Sequence, residues 1–588
     1  MKKTFLLVLV LAAATAAALF FFLHGKDSSV AEGRAAELAP ADTVVFLEVP
    51  NVERTLKRWE STSLSHIAQE PEWKEFTAKF GESVLTDVLD QSKLEILEQV
   101  KQAQPAGMFV AFTDVTGGMP AFVGGVPYRG KMTTAKAAIE KLRAAFLQGG
   151  PPPKSELVKV EGTEVEVLFN PGFSVAFAYR DNWFFFGSSV EGMKGLLQRY
   201  ASAAGAPASL AKDATFIEST KQGHAESDFA AFVRPKALLA RPAGAPPRTP
   251  SPLDIFIPDA VHYSLKLDGL LVRGRIYLQI PKLPQAGPLA NHLLGATTPG
   301  SFGYATLNTA GMDDFVRTML QVIEADGAEN SDTKRLAEKG IKISDLRTIF
   351  GPELGIASDW PASATEWPSF FFGVEVRDAA KARLFTQVCA ESLVHDKPPE
   401  QKEEDGTTYW TVAKDSANPT PLTFACNATH LVFALDPASA AAGIKSLKAG
   451  SPGLRSSETF QGALKSVTAP AAGLFYVDEK QLFERLYLRF VPELKTQIAG
   501  SPEAAKYLDA AKIPKAETIS KHLLPLAVSL SNAPQSLVVD SAGSVPLFGP
   551  ILPVYLVGFR ASPRIMAPPI PANPPGVATP ASPPAPGQ

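Results

Sequence analysis

Cysteine is nearly missing from this chain: Cys389 and Cys426 are the only two in 588 residues. That is too few for a disulfide-scaffolded miniature or a multi-cysteine zinc module. Basic excess is missing too, since the net charge is −3 with 20% charged residues, which argues against neutralising the phosphates of nucleic acid. The eight histidines, His24, His66, His224, His262, His292, His395, His430 and His522, include no pair at helical ligand spacing and no H-E-x-x-H. No G-x-S-x-G elbow occurs. The fold must therefore be held by apolar burial, for which 45% hydrophobic residues and 36 phenylalanines supply the material.

Three short motifs imitate chemistry without its context. Gly125 to Lys131 has the glycine and lysine spacing of a phosphate-cradling loop. Pro127, however, removes a backbone donor, and Met132 stands where Ser or Thr would hold magnesium. Ser209 with Lys212, and Ser331 with Lys334, match a serine–lysine spacing whose companion S-D-N and K-T-G motifs do not occur. Asp326, Glu329 and Asp332 lack ordered calcium-loop spacing. Asn427-Ala428-Thr429 fits a glycosylation sequon, but Asn is also favoured there by hairpin-turn geometry. No cofactor, nucleotide or metal is expected, and the chain is expected not to be an enzyme.

What the sequence does contain is an internal duplication. Residues 173–203 return in phase at 421–450. In the first copy Phe177-Ala178-Tyr179 turns at Arg180-Asp181-Asn182 into Trp183-Phe184-Phe185-Phe186; in the second Phe424-Ala425-Cys426 turns at Asn427-Ala428-Thr429 into His430-Leu431-Val432-Phe433. Period-two spacing followed by period-3.6 spacing reads as strand, turn, strand and amphipathic helix in each. The echo extends outward. Pro40 and Pro299 each lead into an apolar strand and then a helix, carrying Leu56 and Trp59 in one copy and Met312, Phe315, Val316 and Met319 in the other. Gly162-Thr163 and Gly406-Thr407 sit in matching hairpins, and Phe216 answers Phe460.

The expected fold class is α+β: two tandem copies of an antiparallel sheet with helices mainly on one face. Trp183 to Phe186 and Ser369 to Phe372 do not alternate, so their second face also needs cover, and the simplest cover is the other copy. One transmembrane helix is expected before the sheets. Residues 5–23, opening at Phe5 and closing at Leu23, are apolar or small throughout and follow Lys2 and Lys3, which places the bulk of the chain outside the cytoplasm. A cleaved signal peptide is the alternative for this segment. The expected domains are the anchor at 1–23, a spacer at 24–38, repeat 1 at 39–290, repeat 2 at 295–560 and a disordered proline-rich tail at 561–588. Proline-rich stretches at 149–153 and 241–252 are expected as surface loops in the first copy.

The anchor, the proline-led opening strands, the Gly-Thr hairpins and the twofold α+β repeat together resemble an uncharacterised bacterial family of membrane-anchored extracytoplasmic proteins, known as a domain of unknown function. The resemblance implies architecture and location, and it brings no catalytic residues. The expected function is an inner-membrane-tethered, periplasmic, non-catalytic binding or scaffolding protein with an envelope protein partner. The first alternative is a holder of an apolar ligand such as a lipid, with Phe173, Phe177, Trp183, Phe185 and Phe372 lining a cleft. The second is an extracytoplasmic hydrolase whose groups lie far apart in sequence. Cys389, on a helix, and Cys426, on a strand, are expected to be neighbours in the core of repeat 2, either bonded as a disulfide or packed as two thiols.

Overall fold

A computed structural model describes residues 34–83, 103–114, 120–137, 140, 154–170, 173–239, 257–280, 289–310, 331–361, 368–393, 397–413, 421–533 and 535–545. Residues 5–23, the helix expected to carry Met312 to Met319, the proline-rich stretches and the tail lie outside the described residues. Among the described residues, no helix is long and apolar enough to cross a membrane.

The fold is α+β, built on one large antiparallel sheet that has twenty strands among the described residues. In the first half these are β1 (Val45–Val49), β2 (Met108–Asp114), β3 (Ala121–Pro127), β4 (Lys154–Val160), β5 (Thr163–Asn170), β6 (Phe173–Arg180), β7 (Trp183–Gly187), β8 (Phe229–Val233), β9 (Ala260–Asp268) and β10 (Leu271–Gln279). In the second they are β11 (Gly303–Asn308), β12 (Phe350–Asp359), β13 (Ser369–Val376), β14 (Glu400–Glu404), β15 (Thr407–Val412), β16 (Leu422–Cys426), β17 (His430–Ala434), β18 (Gly473–Val477), β19 (Leu526–Ala533) and β20 (Ser536–Gly543).

Neighbour by neighbour, the first half runs β4-β5-β6-β7-β3-β2-β1-β8-β9-β10. The second runs β14-β15-β16-β17-β13-β12-β11-β18-β19-β20, the same order element for element. The two halves join through β10 and β20, which pair antiparallel with Arg275 opposite Asp540. They meet edge to edge, not face to face, so the expected mutual covering of sheet faces is corrected. A backbone that can add a strand satisfies its edge hydrogen bonds by doing so, which stacking two sheets would leave open.

Local chemistry explains the elements. The turns joining β4 to β5 and β14 to β15 have both central residues at positive φ: Glu161 and Gly162 in one, Asp405 and Gly406 in the other. That is the two-residue hairpin turn whose twist suits antiparallel strands. The helix after β7, Val190–Tyr200, starts at Ser189, whose hydroxyl accepts from the Gly192 N–H; the helix after β17, Pro437–Lys448, starts at Asp436, which accepts from the Ser439 N–H.

Helices cover parts of both faces, which corrects the one-face expectation. On one face Met193, Leu196 and Leu197 pack on Phe46, Phe109 and Phe185, and Ala440 and Ile444 pack on Phe371 and Val432. On the other, Trp59 packs on the cluster of Val45, Phe112 and Tyr263, and helix Ala379–Ser392 buries Ala382 and Val388 beside Val376, Trp410 and Cys426. The physical reason lies in the sequence: strands with large apolar groups on both sides need both sides removed from water.

Candidate functional site

The second face of the sheet is largely closed in the first half; in the second, helix Ala379–Ser392 covers only part of it and leaves an open area around Phe372. In the first half Val49, Val110 and Phe112 are buried, and Val49 packs with Val52 and Leu56 of helix Val52–Trp59. The strand registers place Leu307, Ile356 and Ser358 at the equivalent positions. Here Leu307 is 37% exposed, its cross-strand neighbour Leu354 46%, Phe370 38% and Phe372 50%. Phe372 lies opposite Ile356 on one side and Phe433 on the other. The two rings stand 6.4 Å apart, and Phe424 follows Phe433 at 4.9 Å. A contiguous apolar surface on a folded sheet is an interaction site more often than a solvated face.

This places the residues expected to line a cleft. Trp183 and Phe185 stack at 5.4 Å inside the helix-covered core. Phe177 lies opposite Phe186 and stacks on Phe184 at 5.8 Å, with the ring cluster of the other face. Phe173 opens β6, and Phe372 belongs to the other half. The five do not share one surface, because adjacent residues on a strand point to opposite faces. Of Phe177, Trp183, Phe185 and Phe372, only Phe372 lies on the open face.

The cysteines are both free thiols, Cys426 buried and Cys389 half-buried. Of the two arrangements expected, a disulfide or two thiols, the structure holds two thiols. Burial pushes the Cys426 thiol up to about 11, partly opposed by a hydrogen bond with Thr386, the helix residue that meets it. Thr386 is itself buried and donates its hydroxyl to the Ala382 carbonyl at 2.7 Å. Such a thiol is poorly suited to nucleophilic work at neutral pH.

Two polar sites escaped the sequence reading. The first lies at the seam of the halves. Asp540, buried, accepts the Thr468 N–H at 2.9 Å, the Thr468 hydroxyl at 2.8 Å and the Arg275 guanidinium at 3.1 and 3.3 Å. His224 Nε2 stands 3.8 Å from the same carboxylate. Burial, with Arg275 second, lowers the His224 pKa to about 4, and burial takes His262 to about 4 as well. Both rings are therefore neutral at pH 7. The second site is Glu479, at the start of helix Glu479–Gly500, whose carboxyl burial raises to about 7 against hydrogen bonds from Ser544 and Val545. A carboxyl poised there can exchange a proton at physiological pH. Single charged letters at a strand centre and a helix start gave no sequence signal for either site. Among the described residues, no group of three or more His, Cys, Asp or Glu could hold a metal ion.

Residues 382–484 match the family model described as ubiquitin-activating enzyme, SCCH domain. That stretch contains Cys389, Cys426 and Glu479. The description is that of a domain of an enzyme, and the expectation that the chain is not an enzyme is overturned by this match. Two solved structures are similar, crystal form III and crystal form I of TP0453. They are 12% and 11% identical, cover 43% of this chain and 81% and 80% of their own, and have TM-scores of 0.22 and 0.23. Scores this low carry no inference about fold or function. No curated protein matches the chain.

Proposed function

We propose that the chain is a binding or scaffolding protein of the bacterial envelope, tethered in the inner membrane through residues 5–23, with its bulk in the periplasm. On this reading residues 39–290 and 295–560 are two tandem copies of one α+β repeat, and the second copy holds an envelope protein partner against its open sheet face. The supporting observation is the difference between the halves. Of the equivalent strand positions in the first, Val49 and Gly124 are buried and Met108 and Phe122 half-buried, whereas Leu307, Leu354, Phe370 and Phe372 are exposed in the second. Burying such side chains contributes roughly 1.5–3 kcal/mol each, so a few of them suffice for a specific contact.

The test is a photo-crosslinking residue at position 370 in the full chain, in its native membranes. The expected result is an adduct of one discrete protein mass that disappears when Phe372→Asp is added, with no adduct from a control at the exposed Lys445. Capture of lipid alone would replace the protein partner by an apolar ligand. Failure to capture anything from position 370 would overturn binding at this face.

A further inference from the structure

Among the described residues, β4 pairs only with β5 and β14 only with β15, so these two strands are the outer edges of the sheet. Every pairing between them is antiparallel. With an even number of alternating strands, twenty among the described residues, a second copy laid beside the first by continuing the sheet presents β14 antiparallel to β4. The same face then points the same way in both copies. Both edges are also largely exposed. All five residues of β14 are exposed, and Leu157 on β4 is 71% exposed.

The side-chain faces restrict the register. Val158 and Val160 pack in the core of the first half and share their face with Lys154 and Glu156. Lys402 lies opposite Tyr409, which packs in the matching core of the second half, and shares that face with Glu400 and Glu404. Only even shifts keep these faces in phase. One of them sets Lys154 opposite Glu404, Glu156 opposite Lys402 and Val158 opposite Glu400. Sliding by two residues one way opposes Lys154 to Lys402 and Glu156 to Glu400. Sliding the other way opposes Glu156 to Glu404. Like charges directly opposed destabilise a strand pair, and opposite charges favour it.

The geometry points to a head-to-tail association of this chain with itself, β4 of one copy pairing with β14 of the next in the register Lys154 to Glu404 and Glu156 to Lys402. Charged edges ordinarily protect a sheet from indiscriminate pairing. Here the same charges reject both neighbouring in-phase registers and favour the one with two unlike pairs, so protection becomes specificity. The contact is heterologous, and such contacts build open rows or closed rings. This inference is independent of the open apolar face, which lies elsewhere on the sheet.

The test is sedimentation velocity of the full chain in detergent over a range of concentrations. Lys154→Glu and Glu404→Lys should each weaken association roughly tenfold, and combining them in one chain should restore it. Register is read by mixing Ser155→Cys chains with Glu403→Cys chains under oxidising conditions. A disulfide-linked dimer should form faster than with Gln401→Cys, the wild-type chain with its two native thiols serving as the blank. A monomer at all concentrations, association indifferent to the charge reversals, or equal crosslinking to position 401 would overturn the proposal.

Discussion

Gly124 in the first half and Phe372 in the second hold the same place in the same strand order, one opposite Phe186 and the other opposite Phe433. At Gly124 an added Cβ would lie 2.4 Å from the Phe186 ring and 2.7 Å from the Phe109 carbonyl oxygen. The glycine lets Phe186 fold down over the sheet, where it joins Phe122 and Phe112 in a closed cluster. At Phe372 a second ring stands where that space was, and the surface stays open. The comparison teaches that one backbone plan carries a sealed face or a receptive one according to a few side chains.

The sharpest way to break the comparison is at the seam, where the registers make Arg275 and Asp540 equivalent residues that pair with each other across the join. Duplication alone would put identical residues in these two places. The chain has opposite charges there, so this contact belongs to the asymmetric whole. Asp540→Ala leaves the Arg275 guanidinium and the Thr468 N–H without their acceptor and should cost about 3–5 kcal/mol in urea unfolding. A loss under about 1 kcal/mol would show that the seam does not depend on this pair.

A smaller effect is expected from exchanging the two faces. Gly124→Phe forces a ring against backbone and should cost about 2–3 kcal/mol. Phe372→Gly removes a half-exposed ring from a strand and should cost about 1 kcal/mol. Equal costs in the two halves would mean that the second face is not open in solution.

An effect smaller than those at Asp540 and Gly124 is expected in pH. Pro235 begins the helix after β8, and Glu479 begins the helix after β18, so only the second half has a titratable group at this place. Burial raises the Glu479 carboxyl from 4.5 to about 7, so its contribution is full below about 4.5 and is lost as pH rises through 7. About 1–2 kcal/mol from Glu479 should disappear over that window, and Glu479→Gln should remove this part of the pH dependence. His224 and His262, lowered from 6.5 to about 4, act in the opposite sense. Their contribution is present above 6.5 and lost as pH falls toward 4. Amide exchange in β18 compared with β8 separates the two: a Glu479 effect appears in β18 alone.

The strands, their hairpins and the helix starts were legible because their signals are local. Alternation marks Phe424 and Thr423 to opposite faces, and Asp436-Pro437 announces a helix. The candidate site was legible only at Phe372. Trp183 and Phe185 read equally well as cleft or core, since an apolar ring carries no mark of whether water reaches it. Helical spacing likewise offers several residues to one point on a strand, and Thr386 is one that meets Cys426.

By itself the sequence determined the class of fold, the repeated order of elements and the turn chemistry, because propensity, periodicity and capping act over a few residues. Only the tertiary structure decided that the halves join through β10 and β20, that Arg275 faces Asp540, and that one apolar face is sealed while its counterpart stays open. Those outcomes depend on pairing between residues hundreds of positions apart. The free energy of such contacts exists only once the chain has closed on itself.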